Sequence, residues 1–389
     1  MPPAVALQVL ARALARADSR LRRWTAGDER LRRSVQRSGW PPRDGEARWA
    51  LELPQDGENL DVIPSETSPA ERRFIYRFFA HVWRGMGDVV EVGPFLGGTT
   101  RAIARGMLAN PACPPDARLH TYDRFDEYYY ADELRAYVEP LFAAGVLDDA
   151  AIETIGESAS FEGAGFYDLF LRIHRGTSYE RLLVPRSEPL PETPEEARER
   201  PPSFRLPADG ALSAFFVDGC KSWYSTKYFL RQALPRSTPG AHFLFQDYGW
   251  YTDFWVPAVV HMTRGALTLV SYVDQTYAFQ LVEPVADLDA LVPDTAEEVG
   301  ASALASGFDQ LVEEASRRDD ARAVVVHGIQ AAAALAYVGA KDDARRRLRA
   351  LARDHGRGPH REAIAAARSN PTHRQVWSPE GLVREEVTL

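Results

Sequence analysis

The chain has 389 residues, of which 45% are apolar and 11% aromatic, a composition that folds rather than staying disordered. Its net charge of −9 gives no electrostatic reason to expect nucleic acid as the main partner, since phosphate binding needs a basic face. Two cysteines, Cys113 and Cys220, provide no disulfide framework and no cysteine-built zinc site, and no apolar run approaches the roughly 20 residues of a spanning helix. A reducing, cytoplasmic setting is expected, and Arg12 and Arg16 break what would be a signal-peptide core.

At the N-terminus Leu7, Leu10, Leu14, Ala17, Leu21, Trp24, Leu31 and Val35 recur at steps near three and four, with arginines between them. This predicts an amphipathic helix, broken at Gly27, that packs on the body or on a second subunit, with a membrane surface as the alternative. It makes a homodimer the expected assembly. Prolines and glycines from Trp40 to Pro69 read as a connecting loop. A helix is predicted over Pro69 to Trp83, behind Ser68 as cap with Glu71 three residues later.

The stretch from Asp88 to Met107, DVVEVGPFLGGTTRAIARGM, is the one around which the rest of the chain is organised. Val89 and Val90 lead to Glu91, and Gly93, Pro94, Gly97 and Gly98 precede a helical pattern that begins at Thr99 and should stop before Pro111. A strand, a glycine turn and a helix place backbone N–H groups at the carboxyl edge of a parallel sheet, where open α/β folds hold cofactors. The loop reads GPFLGG rather than GxGxxG. An acid two residues before the first glycine repels a pyrophosphate but suits a ligand carrying an amino group and a sulfonium. The loop resembles the first motif of class I S-adenosylmethionine (SAM) dependent methyltransferases.

A second strand, RLHTYD, ends at Asp123, placed to accept both ribose hydroxyls of an adenosyl group, with a loop or cap carboxylate as the alternative. Residues 125 to 210 are too long for one crossover. They carry Phe125, Tyr128, Tyr129 and Tyr130, helical patterns near Asp132 to Gly145 and Gly165 to Arg175, a third strand at Arg181 to Val184, and a proline-dense segment from Pro185 to Pro207. The whole reads as a substrate-side cap with a mobile proline-rich part. A fourth strand, LSAFFVD, ends at Asp218, and a helix comes next from about Tyr224 to Leu234. Pro239 and Gly240 read as a turn before a fifth strand, AHFLFQD, ending at Asp247. After a helix near Phe254 to Met262, LTLVSYV and TYAFQLV are separated by Asp274 and Gln275 as in a hairpin. Beyond Pro293 the chain turns helical and alanine-rich. ALAYVGAKDDARRRLRALARD looks like one tetratricopeptide-type turn, too little for a repeat array.

The chemistry gathers in DGCKSWY, Asp218 to Tyr224, and QDYGWY, Gln246 to Tyr251, both at strand ends that should meet the glycine loop and Asp123. DGCKSWY is similar to the DxxKxxY pattern of metal-dependent catechol and caffeoyl-CoA O-methyltransferases. WYSTKYFLRQALPRSTPGAHFLFQDYGWY is similar to the matching stretch of the macrocin O-methyltransferase family and of the related cephalosporin-hydroxylase-like family, and the resemblance spans about residues 70 to 285. It implies Mg2+ held by Asp218, Gln246 and Asp247, with Lys221 as catalytic base beside Asp218 and Asp247. It also implies SAM contacts from Glu91, Gly93, Pro94, Gly97, Thr99, Asp123 and Asp218. Magnesium accepts two or three hard oxygens and keeps waters, and a coordinated hydroxyl loses its proton more easily. The pattern departs at Gln246, where the macrocin family has a second acid, so one negative charge is missing from the metal set. For Lys221 a salt bridge with Asp218 or Asp247 is the alternative. Trp223, Tyr248, Trp250, Tyr251 and Trp255 are expected to pack as core or cap, and His120 and His242 as interior histidines.

These readings predict a doubly wound, Rossmann-like, mostly parallel seven-stranded sheet with an antiparallel edge strand, divided as 1–60, 61–293 with its cap insertion at 125–210, and a helical 294–389. The expected activity is SAM-dependent O-methylation of a sugar or natural-product hydroxyl. A decayed, methyltransferase-like scaffold protein is the competing class; it would bind SAM without transferring to any hydroxyl. An oxygenase or dehydrogenase would need an iron-type His, His, carboxylate cluster or a GxGxxG, and the chain has neither.

Overall fold

The computed structural model describes residues 60–125 and 166–389, apart from 264, 358, 359, 379 and 380, together with positions 139, 141 and 145. The helix expected over residues 5 to 35 and the aromatics Tyr128 to Tyr130 lie outside the described residues.

The first described helix, α1 (Pro69–Arg77), begins as its residues dictate. Ser68 Oγ accepts from Glu71 N at 3.1 Å, Glu71 Oε2 accepts from Ser68 N at 2.8 Å, and Pro69 takes the first position. The same Glu71 reaches Gln275 N and Thr276 Oγ1, so the cap also holds the distant β-hairpin turn. A π-helical turn, Phe78–Val82, carries the chain to Trp83.

Strands β1 (Asp88–Val92), β2 (Leu119–Asp123), β3 (Leu183–Ser187), β4 (Leu212–Val217), β5 (Ser237–Phe245), β6 (Leu267–Val273) and β7 (Thr276–Leu281) form one sheet in the order β3-β2-β1-β4-β5-β7-β6. The first five run parallel, and β7 lies antiparallel to both β5 and β6. The predicted hairpin is thus the antiparallel pair at one edge, with β7 inserted between β5 and β6. All six residues of β4 are buried, as an interior parallel strand requires. Their alternation feeds two cores. Ala214 and Phe216 pack with α1 and α2 (Gly98–Ala109) on one face, while Phe215 and Val217 pack on the other with α5 (Trp223–Ala233) and α6 (Trp255–Met262). Between β2 and β3 lies α3 (Tyr167–His174), and between β3 and β4 the short α4 (Pro194–Glu199).

Three expectations are revised. Pro239 and Gly240 lie within β5 rather than in a turn before it. The β4–β5 register jumps from Leu212↔Ser237 to Ala214↔His242, so the surplus residues bulge out there, with Gly240 at φ +100°. The proline-rich stretch after β3 is packed down rather than loose: Leu190, Phe204 and Leu206 enter the main core, and Tyr122 Oη donates to Arg205 O at 2.9 Å. The region after Pro293 is not purely helical. Following α7 (Leu288–Leu291), α8 (Ala296–Val299), α9 (Ala301–Arg317), α10 (Ala321–Tyr337), α11 (Lys341–His355) and α12 (Arg361–Ser369), it closes with an antiparallel ribbon of β8 (Thr372–Ser378) and β9 (Gly381–Val387).

Residue 293 is not a core boundary. Leu304, Phe308 and Leu311 of α9 and Ala331, Ala333 and Ala334 of α10 belong to the same apolar cluster as β4 and β5. The alanine run is what lets α10 press so close. Among the described residues no helix is long and apolar enough to cross a membrane.

Candidate active site

At the carboxyl ends of β1, β2 and β4 opens a cavity of about 810 Å³, within the range of small-molecule sites. The glycine loop forms its floor. Gly93 sits at φ +81°, and a Cβ there would meet the Asp218 carbonyl carbon at 2.9 Å, because the β1 and β4 ends lie side by side. Gly97, the N-cap of α2, sits at φ +97°, where a Cβ would fall 1.9 Å from His174 Nε2. The buried His174 ring therefore props the loop from below. Burial pushes its pKa down to about 3, so it does so as a neutral ring.

Of the residues expected to contact a cofactor, Gly93, Pro94, Thr99, Asp123 and Asp218 line the cavity. Asp123 is oriented by two backbone donors, Phe95 N to Oδ2 at 3.1 Å and Phe125 N to Oδ1 at 3.2 Å. Glu91 and Gly97 lie beneath the loop and do not appear in the wall. Glu91 is fully buried, with Thr99 Oγ1 donating to Oε1 and Thr100 Oγ1 to Oε2, both at 2.6 Å. Burial above all pushes its carboxyl up to about 7, against the two threonine hydrogen bonds. Its place in the fold is to tie the first turn of α2 to β1.

Asp218 follows β4 and Asp247 comes after β5, and between them stands Lys221. Its Nζ donates to Asp218 Oδ1 at 2.8 Å and to Asp247 Oδ2 at 2.6 Å. Burial pushes the Asp218 carboxyl well above the usual range, with the Lys221 charge opposing. Asp218 and Lys221 face the cavity, whereas Gln246 and Asp247 stand behind them. Among the described residues Gln246 Oε1 has no hydrogen-bond donor, and Asp247 adopts φ +66°, a left-handed conformation that Asp takes more readily than most non-glycine residues. Burial, then Asp247, push the nearby Asp253 up to about 7. As arranged, the donor set does not fit a divalent cation: two carboxylates are already bridged by an ammonium, and the third donor is an uncharged amide. Among the described residues no group of three or more His, Cys, Asp or Glu is placed to hold a metal.

The local sequence holds this cluster still. Ser222 and Ser225 form a reciprocal cap at the start of α5, and Trp255 Nε1 donates to Cys220 O at 3.0 Å, so both neighbours of Lys221 are tethered. Trp223, Tyr248 and Trp255 are buried packing residues, as expected. His120 is interior, with Nε2 2.9 Å from Asp88 Oδ2, and His242 is interior against Phe78.

Several wall residues carry no motif. Glu192, after β3, lines the cavity, and burial pushes its carboxyl up to about 7 against hydrogen bonds from Ser222 and Ser225. The C-terminal ribbon supplies Gln375, Trp377 and Arg384. Trp377 is pinned at the rim, its Nε1 donating to Glu199 Oε2 at 2.7 Å and Arg200 stacked 4.8 Å from its ring. No signal near Asp218 or Gly93 could point to residues about 160 positions beyond the first and about 280 to 290 beyond the second.

Neither a family model nor a curated protein sequence matches this chain. Solved structures similar to it include the O-methyltransferase NovP, at 16% identity over 55% of this chain and 80% of that one, with a TM-score of 0.34. CalS11, a TDP-rhamnose 3'-O-methyltransferase of calicheamicin biosynthesis, matches at 15% identity over 66% and 94% with a TM-score of 0.31. The S-adenosylhomocysteine (SAH) bound methyltransferase PaMTH1 of Podospora anserina matches at 14% identity over 67% and 96%, with a TM-score of 0.30. The chemistry open to this site is set by its own residues, not by these likenesses.

Proposed function

We propose that this chain is a SAM-dependent O-methyltransferase acting on a hydroxyl of a sugar or other polyhydroxylated natural product. One observation carries the reading: the ends of β1, β2 and β4 bring Gly93 to Phe95, Asp123, Asp218 and Lys221 to a single cavity. Asp123 would accept the ribose hydroxyls, and the backbone of the glycine loop would take the amino-acid end of SAM. Asp123, Asp218 and Glu66 line the same cavity, so a sulfonium bound there would meet carboxylates.

The rest of the cavity, walled by Glu192, Tyr122, Gln375 and Trp377, would take the acceptor. An aromatic rim beside planar polar side chains suits a ring that carries several hydroxyls. Lys221, Asp218 and Asp247 form the unit that handles the acceptor's proton. Transfer forms the O–CH3 bond, breaks the S–CH3 bond with its electron pair left on sulfur, and moves the hydroxyl proton to the Asp218 carboxylate. The chain's contribution is alignment and charge placement at the reacting oxygen.

Titration calorimetry with SAM and SAH tests the reading, and a protein that binds neither would end it. Transfer of a labelled methyl group from SAM to members of a sugar and polyol panel is the second expected result.

A further inference from the structure

We propose that the Lys221 ammonium, held between Asp218 and Asp247, takes the place a divalent cation would need in this chain, so that the site uses a built-in charge and takes up no metal. The inference deepens the methyltransferase reading and rests on it for the reaction, but its test does not. Asp218 and Asp247 come from the ends of adjacent parallel strands, the arrangement that would bring two carboxylates onto one metal ion. Here both are occupied: Nζ lies 2.8 Å from Asp218 Oδ1 and 2.6 Å from Asp247 Oδ2. Magnesium-to-oxygen bonds of about 2.0–2.1 Å would place a doubly charged ion on the same oxygens, against the ammonium that already neutralises them.

The third position supports this independently. Gln246 provides an amide oxygen and no charge, so the set carries one negative charge fewer than one with an acid in that position. A chain that relies on its own cation has no need of the acid found there in the macrocin family.

The orientation gives the ammonium work to do. Asp247 backs it, while Lys221 and Asp218 face the cavity. The ammonium can then stabilise the negative charge that develops on the acceptor oxygen as the Asp218 carboxylate receives the hydroxyl proton. Lys221 stays protonated throughout, and the net reaction balances as hydroxyl plus SAM to methyl ether, SAH and a proton.

The experiment is a Mn2+ titration of the full chain followed by electron paramagnetic resonance, for wild type and for Lys221→Met, with SAH calorimetry on both. Wild type should leave the free-ion signal unchanged. Lys221→Met should take up one equivalent at least about tenfold more tightly, because its two uncovered carboxylates and the Gln246 oxygen then lack a cation. A stoichiometric site in wild type tighter than about 100 μM would overturn the proposal. So would a Lys221→Met protein that binds SAH normally yet ignores Mn2+. If Lys221→Met does not fold, Lys221→Gln replaces it, and the wild-type titration decides alone if neither does. Loss of SAH binding by wild type would instead strike the methyltransferase reading and leave the metal result standing.

Discussion

Gln330, in the middle of α10, is the point where the C-terminal helices grip the active-site loop. It is fully buried, and its Nε2 donates to Tyr248 O at 2.9 Å and to Trp250 O at 2.8 Å. Its Oε1 pairs with His327 Nδ1 at 2.8 Å. Both carbonyls belong to the loop that begins with Asp247 in its left-handed conformation. Gln330→Leu keeps the volume and deletes the bonds. Trp250 O keeps the Asp253 amide at 3.3 Å and is partly open to water, so its loss costs only about 1 kcal/mol. Tyr248 O is buried and loses its donor, as does the His327 ring nitrogen its partner, each at about 1–3 kcal/mol. The expected loss is therefore about 3–7 kcal/mol in urea unfolding, with faster amide exchange over residues 247–251 and unchanged SAH affinity. A loss below about 0.5 kcal/mol with unchanged exchange would refute the idea that α10 holds this loop.

Gly97→Ala should weaken SAH binding at least about tenfold by calorimetry, since its Cβ would collide with His174 Nε2 at 1.9 Å. Adding His174→Ala should restore part of that affinity, and a double variant no better than the single would remove the clash as the cause. Asp123→Ala should cost SAH about 10- to 100-fold by calorimetry, the loss of two charge-assisted hydrogen bonds to ribose, and unchanged affinity would break the assignment. Glu91 gives a pH signature. Its folded carboxyl holds a proton up to about 7, while the unfolded one ionises from 4.5. The unfolded chain thus binds fewer protons across that window, and stability falls as pH rises through it, by at most about 3 kcal/mol, then levels off. Melting curves of Glu91→Gln should show a shallower decline across the window and a higher midpoint above it.

Much of this molecule was legible one strand at a time. Val89–Val92 and LSAFFV read as strands because apolar residues fill most of their positions, and Ser68 with Glu71 marked a helix start to the residue. The antiparallel hairpin announced itself by its two-residue spacer. Asp123, Asp218 and Lys221 could be placed at strand ends because a parallel sheet puts all its carboxyl ends on one edge. Glu91 shows the limit of that logic. Being two residues before a glycine turn does not say which side of the loop a carboxyl takes, and Thr99 and Thr100 drew it inward. The Pro239–Gly240 bulge was hidden for a related reason: a register shift depends on the neighbouring strand, which local composition does not record. The C-terminal ribbon was missed because Arg374, Gln375, Arg384, Glu385 and Glu386 leave little of the alternation that marks a half-buried strand.

By itself the order of residues determined the sheet, the glycine loop and the acids and lysine at its edge, because periodicity and turn chemistry act over a few neighbours. Tertiary structure alone decided that Lys221 bridges two carboxylates, that Gln330 clamps the loop behind them, and that Trp377 stands at the rim of the cavity. Apart from the Lys221–Asp218 pair, three residues apart, those contacts join positions between 26 and 178 residues apart. Only packing, through which face each helix buries and how near alanines let α10 approach, brings them within hydrogen-bond range.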